Sequence, residues 1–181
     1  PRYKKPVGIY WLQSAALKLT GADPQTDIWA YRLISVLGAT ISVLVIAWLA
    51  AFMFGGKAAL IAGLFAASMF TLCFEARIAK TDATLLTCCV IAQAALARAY
   101  VAHASDKLRF DWLAFWGALG IGILIKGPVA PLLAALTTAA LFAFDRNIAW
   151  FKRLRPLPGI ALLALVAAPW LIAITMKSGG A

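Results

Sequence analysis

The sequence predicts an all-α integral membrane protein with about six transmembrane helices and one short amphipathic helix near its N-terminal end. Of 181 residues, 64% are apolar and only 13% are charged, whereas soluble domains are about half apolar and a quarter charged. The mean hydropathy is +0.88. Because 17 basic and 7 acidic side chains could not cover so much apolar surface in water, soluble enzymes, disordered tails and disulfide scaffolds are excluded.

The apolar residues are gathered into six runs, each a candidate membrane helix. The fourth and fifth are shorter than the roughly 20 residues that cross a hydrocarbon core, so a single re-entrant unit is the alternative. We favour two helices, because Lys126-Gly127-Pro128 is a charged, helix-breaking turn between them. The six runs are 33–54, 58–74, 83–102, 112–125, 129–144 and 157–175.

The first thirty residues differ from the rest. Apolar side chains from Tyr10 to Leu19 recur at helical spacing beside Gln13, Ser14 and Lys18, which predicts a short helix lying in the membrane interface. We therefore divide the chain into an outer loop with this helix at 1–30, a six-helix transmembrane region at 31–176 and a truncated start of another outer loop at 177–181. The chain begins at Pro1, without an initiator Met, and is expected to be a piece of a longer protein.

Loop charges predict the orientation. Alternating spans place seven basic residues on one side and eight on the other, so the number alone does not decide. The dense cluster from Arg146 to Arg155 is typical of a cytoplasmic loop, which assigns 55–57, 103–111 and 145–156 to the cytoplasm and 1–30, 75–82 and 126–128 to the outer side. The outer side then carries a surplus of cations, which favours an anionic ligand.

The first candidate site segment contains Arg2, Lys4 and Lys5, followed by a Pro-limited turn and the aromatic pair Tyr10-Trp11. These cations could hold a phosphate at the membrane surface while the rings contact a sugar or an isoprenoid chain. The alternative is a polybasic anchor that grips anionic membrane lipids. The net charge of +10 points to such headgroups and phosphates, and nucleic acid is not expected as a partner.

Two further segments lie on the predicted outer side. Asp82 begins an apolar helix close to Glu75, Arg77 and Lys80, so it either helps position a substrate or caps the helix. Lys126 ends the fourth run, where it either contributes to the same site or stabilises the helix dipole. No cofactor is indicated with certainty, and a divalent metal is left open.

These residues resemble the polyprenyl-phosphate-dependent glycosyltransferases of the GT-C fold, which include protein O-mannosyltransferases and the lipid A aminoarabinose transferase. The segment Arg2-Tyr3-Lys4-Lys5-Pro6, with Tyr10-Trp11 after it, is similar to the loop that follows the first transmembrane helix in that group. Further similar patches follow in order along essentially the whole chain: Asp27 to Arg32, Ala76-Arg77, Thr81-Asp82-Ala83, Gly120-Ile121-Gly122, Lys126-Gly127-Pro128 and Ala168-Pro169-Trp170.

The resemblance implies transfer of a sugar from a polyprenyl phosphate carrier to a lipid, glycan or protein acceptor at the periplasmic face of the bacterial inner membrane. It implies that Lys5 binds the carrier phosphate, with Arg2 and Lys126 as helpers and Tyr10 beside the carrier. Asp82 corresponds to a second acidic position that organises the site, and the main catalytic base is expected upstream of Pro1.

Two departures weaken the case for the aminoarabinose branch in particular. Lys4 stands where that branch has an acidic residue, so a metal contact there does not carry over, and Asp82-Ala83 replaces its Asp-Pro. The broader group of undecaprenyl-phosphate sugar transferases matches better. A secondary transporter with Asp82 and Lys80 as a proton relay is the alternative function, although few ionisable residues lie deep within the runs.

Overall fold

A computed structural model describes residues 6–102 and 110–178, with the backbone alone described for the last two of these. This part of the chain forms helices and contains no strand, which confirms the all-α prediction. The α-helices are α1 Gly8–Thr20, α2 Ile28–Phe54, α3 Gly56–Ser68, α4 Phe70–Ala76, α5 Asp82–Val101, α6 Asp111–Lys126, α7 Val129–Asp145 and α8 Pro156–Ser178, and a 3-10 helix covers Ala149–Leu154.

Within the described ranges, α2, α5 and α8 are long and apolar enough to cross a membrane, and α3 with α4 adds a fourth candidate if the bent pair is one span. All six predicted runs are helical. However, α6 has 16 residues and α7 has 17, so both fall short of a full crossing length. A helix at Gly8–Thr20 agrees with the predicted amphipathic segment, and its place at the membrane interface stays a prediction.

The second run is expected to be one helix over 58–74. This prediction is wrong, because the helix is broken at Met69. Met69 is extended, with φ −61° and ψ 117°, and the axes of α3 and α4 differ by 61°. The Ser68 hydroxyl donates to the Phe65 carbonyl (3.0 Å), at the last turn of α3. Since neither Pro nor Gly marks the break, the apolar pattern could not reveal it.

The chain divides into two compact units, and the boundary falls inside α5, after Val90. In the unit of residues 7–90, α2 and α5 run parallel. Ser35 Oγ donates to the Lys80 carbonyl, just before α5, at 3.3 Å, and seven residues further along both segments Ser42 Oγ lies 3.2 Å from Thr87 Oγ1. The bent α3–α4 pair therefore returns the chain from Phe54 to the level of Ser35, about 29 Å at 1.5 Å per residue.

Close approach of α2 and α5 depends on Gly38. A Cβ at this position would lie 3.1 Å from Thr87 Oγ1 and 3.2 Å from the Ala83 backbone. The missing side chain lets Thr87 Oγ1 donate to the Gly38 carbonyl at 2.7 Å. Small residues and hydroxyls are the usual means by which membrane helices associate, because apolar burial gains little in lipid.

In the unit that contains residues 91–178, α6 and α7 form an antiparallel hairpin with Lys126-Gly127-Pro128 at its tip. At its open end, Arg98 of α5 pairs with Asp111 (2.9 Å), and Tyr100 donates to the Asp145 carboxylate. Gln93 Nε2 also donates to Thr137 Oγ1 at 3.1 Å, so α7 runs parallel to α5. The fourth and fifth runs thus form two separate helices, and a full membrane crossing by each of them stays a prediction.

The start of α8 packs tightly against α6. Trp116 Nε1 donates to the Leu154 carbonyl at 2.8 Å, and a Cβ on Gly159 would lie only 1.9 Å from that nitrogen. The ring of Phe151 meets Phe115, Trp116 and Trp150 edge to face, a favoured aromatic geometry. The segment between α7 and α8 therefore packs against α6 through the ring of Phe151.

Candidate functional site

The loop between α4 and α5 contains part of the predicted site. Its backbone is anchored to α2 by the bond from Ser35 Oγ to the Lys80 carbonyl (3.3 Å). Lys80 Nζ lies 3.9 Å from Glu75 Oε1, and the Lys80 side chain is half exposed whereas that of Glu75 is mostly buried. This loop therefore holds a cation at the entrance to α5 while its backbone is fixed from within the unit.

Asp82 is the first residue of α5, and it is partly buried. Directly before it, the Thr81 carbonyl accepts the Leu85 N–H at 2.9 Å, so the chain enters the helix at a defined point. A carboxylate in the first turn interacts favourably with the helix dipole. Asp82 thus begins α5 directly after the loop that contains Lys80, and its role in a site stays a prediction.

Tyr10 lies on α1, in the same unit. Its side chain is 52% exposed and that of Trp11 is 58% exposed, whereas Ile9 and Ala16 are buried. The helix therefore packs through its small and aliphatic residues and turns the aromatic pair away from the unit. Rings in this position can contact lipid or a bound isoprenoid chain, as aromatic side chains do at membrane interfaces.

Two other carboxylates, which the sequence also predicts on the outer side, hold a turn together. Asp27 Oδ2 accepts the Asp23 N–H at 2.8 Å, and Asp23 Oδ1 accepts the Gln25 N–H at 2.8 Å. Tyr31 closes the same turn by donating to the Pro24 carbonyl at 3.0 Å. Asp23 and Asp27 thus build the connection between α1 and α2, a common use of Asp side chains, and Asp82 is not in this turn.

The remaining predicted residues fall elsewhere. Lys126 is the exposed last residue of α6, followed by Gly127 at φ +76°, a conformation that glycine adopts without strain. It belongs to the unit with residues 91–178, whereas Tyr10 and Asp82 belong to the unit of residues 7–90. Arg2 and Lys5 lie outside the described residues. Among those that are described, no group of three or more His, Cys, Asp or Glu side chains could hold a metal.

Ser35 is the residue that sequence reasoning missed. It is 1% exposed, and its hydroxyl fixes the backbone next to Thr81 and Asp82. A signal was present, since Ser35, Gly38 and Ser42 recur at helical spacing within an apolar run. Small and hydroxyl residues on one face of a membrane helix indicate a contact with another helix.

Helices long and apolar enough to cross a membrane, with a charged loop anchored before α5, are typical of a multi-pass membrane protein. Residues 4–172 match the family described as dolichyl-phosphate-mannose-protein mannosyltransferase, and the chain belongs to that family. This match confirms the resemblance to polyprenyl-phosphate-dependent glycosyltransferases.

Individual relatives agree with the family match. The chain is 27% identical over 179 residues to the undecaprenyl phosphate-alpha-4-amino-4-deoxy-L-arabinose arabinosyl transferase of Aeromonas salmonicida (strain A449), covering 97% of this chain and 31% of that protein. Crystal structures of ArnT from Cupriavidus metallidurans, in the apo state and bound to undecaprenyl phosphate, each superpose with a TM-score of 0.87 at 23% identity.

Each of these superpositions covers 97% of this chain and 32% of the ArnT chain. The likeness confirms that the helices follow the GT-C membrane fold. The chain thus spans about a third of the length of the proteins that it matches.

Proposed function

We propose that this chain forms part of a membrane glycosyltransferase that transfers a sugar from a polyprenyl phosphate carrier, such as undecaprenyl phosphate, to an acceptor hydroxyl or phosphate. The observation that carries the proposal is the family match over residues 4–172. A relative named as an undecaprenyl phosphate-linked arabinosyl transferase and an ArnT structure bound to undecaprenyl phosphate support the carrier. Membership of this family favours the transferase over the transporter.

The chemistry accounts for the cations. A departing carrier phosphate is a weak base and needs no general acid, whereas positive charge that gains contact as the glycosidic bond breaks lowers the barrier. We assign this task to Lys5, with Arg2 and Lys126 as helpers, and we place Tyr10 beside the carrier. The acceptor hydroxyl needs a carboxylate base, which we expect in the part of the protein before Pro1.

Asp82 is assigned a positioning role. Its place at the head of α5, directly after a loop anchored by the bond from Ser35 to the Lys80 carbonyl, supports a fixed carboxylate at the rim of the site. Preorganised charge of this kind is effective because it need not reorient during the reaction. The site would face the periplasm, and the acceptor would be a lipid, a glycan or a protein.

Transfer by the intact protein from a panel of undecaprenyl-phosphate sugars, including 4-amino-4-deoxy-L-arabinose, tests the proposal. Lys5→Ala should lower the rate by about a hundredfold to a thousandfold, the usual cost of losing one preorganised electrostatic contact. Lys5→Arg should recover part of it, and Lys4→Ala should be mild. Equal and small effects of the two alanine substitutions would leave this segment as a basic anchor.

Asp82→Asn separates the positioning role from helix capping, because Asn and Asp cap about equally well. We expect slower transfer, with normal accumulation of the protein in the membrane. Asp23→Asn is the matched control, since that carboxylate serves a turn. Full activity of Asp82→Asn would show that Asp82 only caps the helix and does not position a substrate.

Impermeant thiol labelling of intact cells tests the orientation. In a background without Cys73, Cys88 and Cys89, Lys80→Cys should be labelled and Lys107→Cys should be protected. The reverse pattern would place the Asp82 loop in the cytoplasm and refute the periplasmic site.

A further inference from the structure

An apolar cavity of about 450 Å³ lies between α6, α7, α8 and the 3-10 helix. Its lining is apolar except for Thr138, whose hydroxyl is satisfied by the Ala134 carbonyl at 2.8 Å, and Trp116, whose Nε1 is bonded to the Leu154 carbonyl. The described lining thus offers water few of the partners that an ordered water needs. The cavity suits a hydrocarbon chain.

The shape of the cavity follows from the residues on α7. Ala134, Ala135, Thr138 and Ala139 all line it, and their spacing places them on one face of the helix. These side chains are small, whereas the facing wall of α6 carries Phe115 and Trp116. A row of small residues opposite large rings leaves a groove along α7.

A basic rim borders this cavity. Phe151 lines it, and Lys152 follows directly and is exposed. The Arg155 guanidinium lies 6.0 Å from the centre of the Trp112 ring, one helical turn before Phe115 and Trp116. From residue 145 to residue 155, four basic side chains accompany one acidic side chain, and that one, Asp145, accepts a hydrogen bond from Tyr100.

We propose that this cavity and its basic rim bind one anionic phospholipid, with an acyl chain in the cavity and the phosphate held by Lys152 and Arg155. Charge complementarity selects this occupant, because a phospholipid supplies both a long apolar chain and a negative group at the level where helices leave the membrane. The site is separate from the proposed carrier site, since Trp112 and Lys126 lie 14 residues apart on α6, about 21 Å.

Native mass spectrometry of the intact protein tests the rim, with phosphatidylglycerol and phosphatidylcholine of identical acyl chains as the probes. The wild type should retain one phosphatidylglycerol in preference to phosphatidylcholine. Lys152→Gln with Arg155→Gln should reduce that preference by about fivefold for each cation removed, whereas Lys57→Gln, in the first turn of α3, should not change it. An unchanged preference in the double variant would overturn the phosphate contact.

Substitution on α7 tests the cavity. Ala139 lines it, whereas its neighbour Ala140 does not. Ala139→Leu should reduce retention of both lipids, because the added side chain takes the place of the acyl chain, and Ala140→Leu should match the wild type. Unchanged retention with Ala139→Leu, especially with a lowered melting temperature, would overturn the proposal and indicate that another helix of the protein fills the cavity.

Discussion

The contacts between helices inside one compact unit differ in kind from those inside the other. In the unit of residues 7–90, α2 and α5 meet through Gly38, Ser42 and Thr87, with hydroxyl hydrogen bonds and close backbone approach. The unit that contains residues 91–178 is held by aromatic rings and by an ion pair. The Trp116 N–H donates a hydrogen bond to the Leu154 carbonyl, and Arg98 pairs with Asp111.

These two kinds of contact differ in how much free energy of unfolding is lost when one of them is removed. Hydroxyl and glycine contacts replace interactions with lipid by interactions between helices, and each is worth little. A buried ion pair or an aromatic bonded through its N–H is costly to disrupt, because a polar group is then left without a partner. We therefore expect the unit with residues 91–178 to be the more sensitive to single substitutions.

The largest effect should come from Gly159→Ala. The new Cβ would lie 1.9 Å from Trp116 Nε1, so the ring must move and give up its hydrogen bond to Leu154. Overpacking together with an unsatisfied buried N–H should cost on the order of 3 kcal/mol or more, seen as a lower unfolding temperature in detergent. Gly117→Ala is the control, because its Cβ meets nothing within 4 Å, and it should be neutral or slightly stabilising.

Arg98→Met should have the second-largest effect. We expect the free energy of unfolding to fall by about 3 kcal/mol, because Asp111, 7% exposed, would stay buried without its counterion. Adding Asp111→Asn should recover much of the loss, which a double-mutant cycle of unfolding measurements would reveal. Lys80→Met, which removes the half-exposed partner of Glu75 at 3.9 Å, should lower the free energy of unfolding by less than about 1 kcal/mol. Equal losses for the two pairs would contradict the comparison.

Gly38→Ala should have an intermediate effect. Its Cβ would press on Thr87 and Ala83 at 3.1–3.2 Å, so α2 and α5 must separate slightly, at a cost of about 1–2 kcal/mol. Gly56→Ala in the same unit meets nothing within 4 Å and should leave the unfolding temperature unchanged. If Gly38→Ala were as harmless as Gly56→Ala, the close approach would not be needed.

The smallest effect should come from Thr87→Val, which keeps the shape of the side chain but removes its bond to the Gly38 carbonyl. Hydrogen bonds between membrane helices average about 0.6 kcal/mol, so we expect a slight fall in unfolding temperature. Thr40→Val is the matched control, since that exposed hydroxyl bonds only within its own helix, to the Val36 carbonyl. A loss above about 2 kcal/mol would make this unit as sensitive as the other.

Much of the fold could be predicted from the sequence. The six apolar runs are all helical, and the turn at Lys126-Gly127-Pro128 separates α6 from α7 as expected, because Gly and Pro end helices by their own backbone chemistry. The break at Met69 could not be predicted, since no local signal marks it and the bend appears only in the packed chain.

The candidate site was predictable in part. The charged segment around Asp82 stands out because ionisable residues are rare beside membrane helices, and the structure orders it through Ser35 and Lys80. The sequence treats Asp23, Asp27 and Asp82 alike as outer carboxylates. Only the folded chain separates them, because Asp23 and Asp27 accept backbone N–H groups of one turn.

By itself, the sequence determined the class of protein, the family and the positions of the helices apart from the break at Met69. The apolar composition shows that lipid rather than water surrounds the helices. The family can be recognised because its short motifs occur in the same order along the chain. The tertiary structure alone decided which polar groups meet. Arg98 lies one turn from the end of its helix, where a lysine or arginine often extends to the interface, but it pairs instead with Asp111 at 2.9 Å. Ser35 in the same way reaches Lys80, 45 residues away. Such contacts join residues distant in sequence, and they depend on how the helices pack rather than on any local pattern.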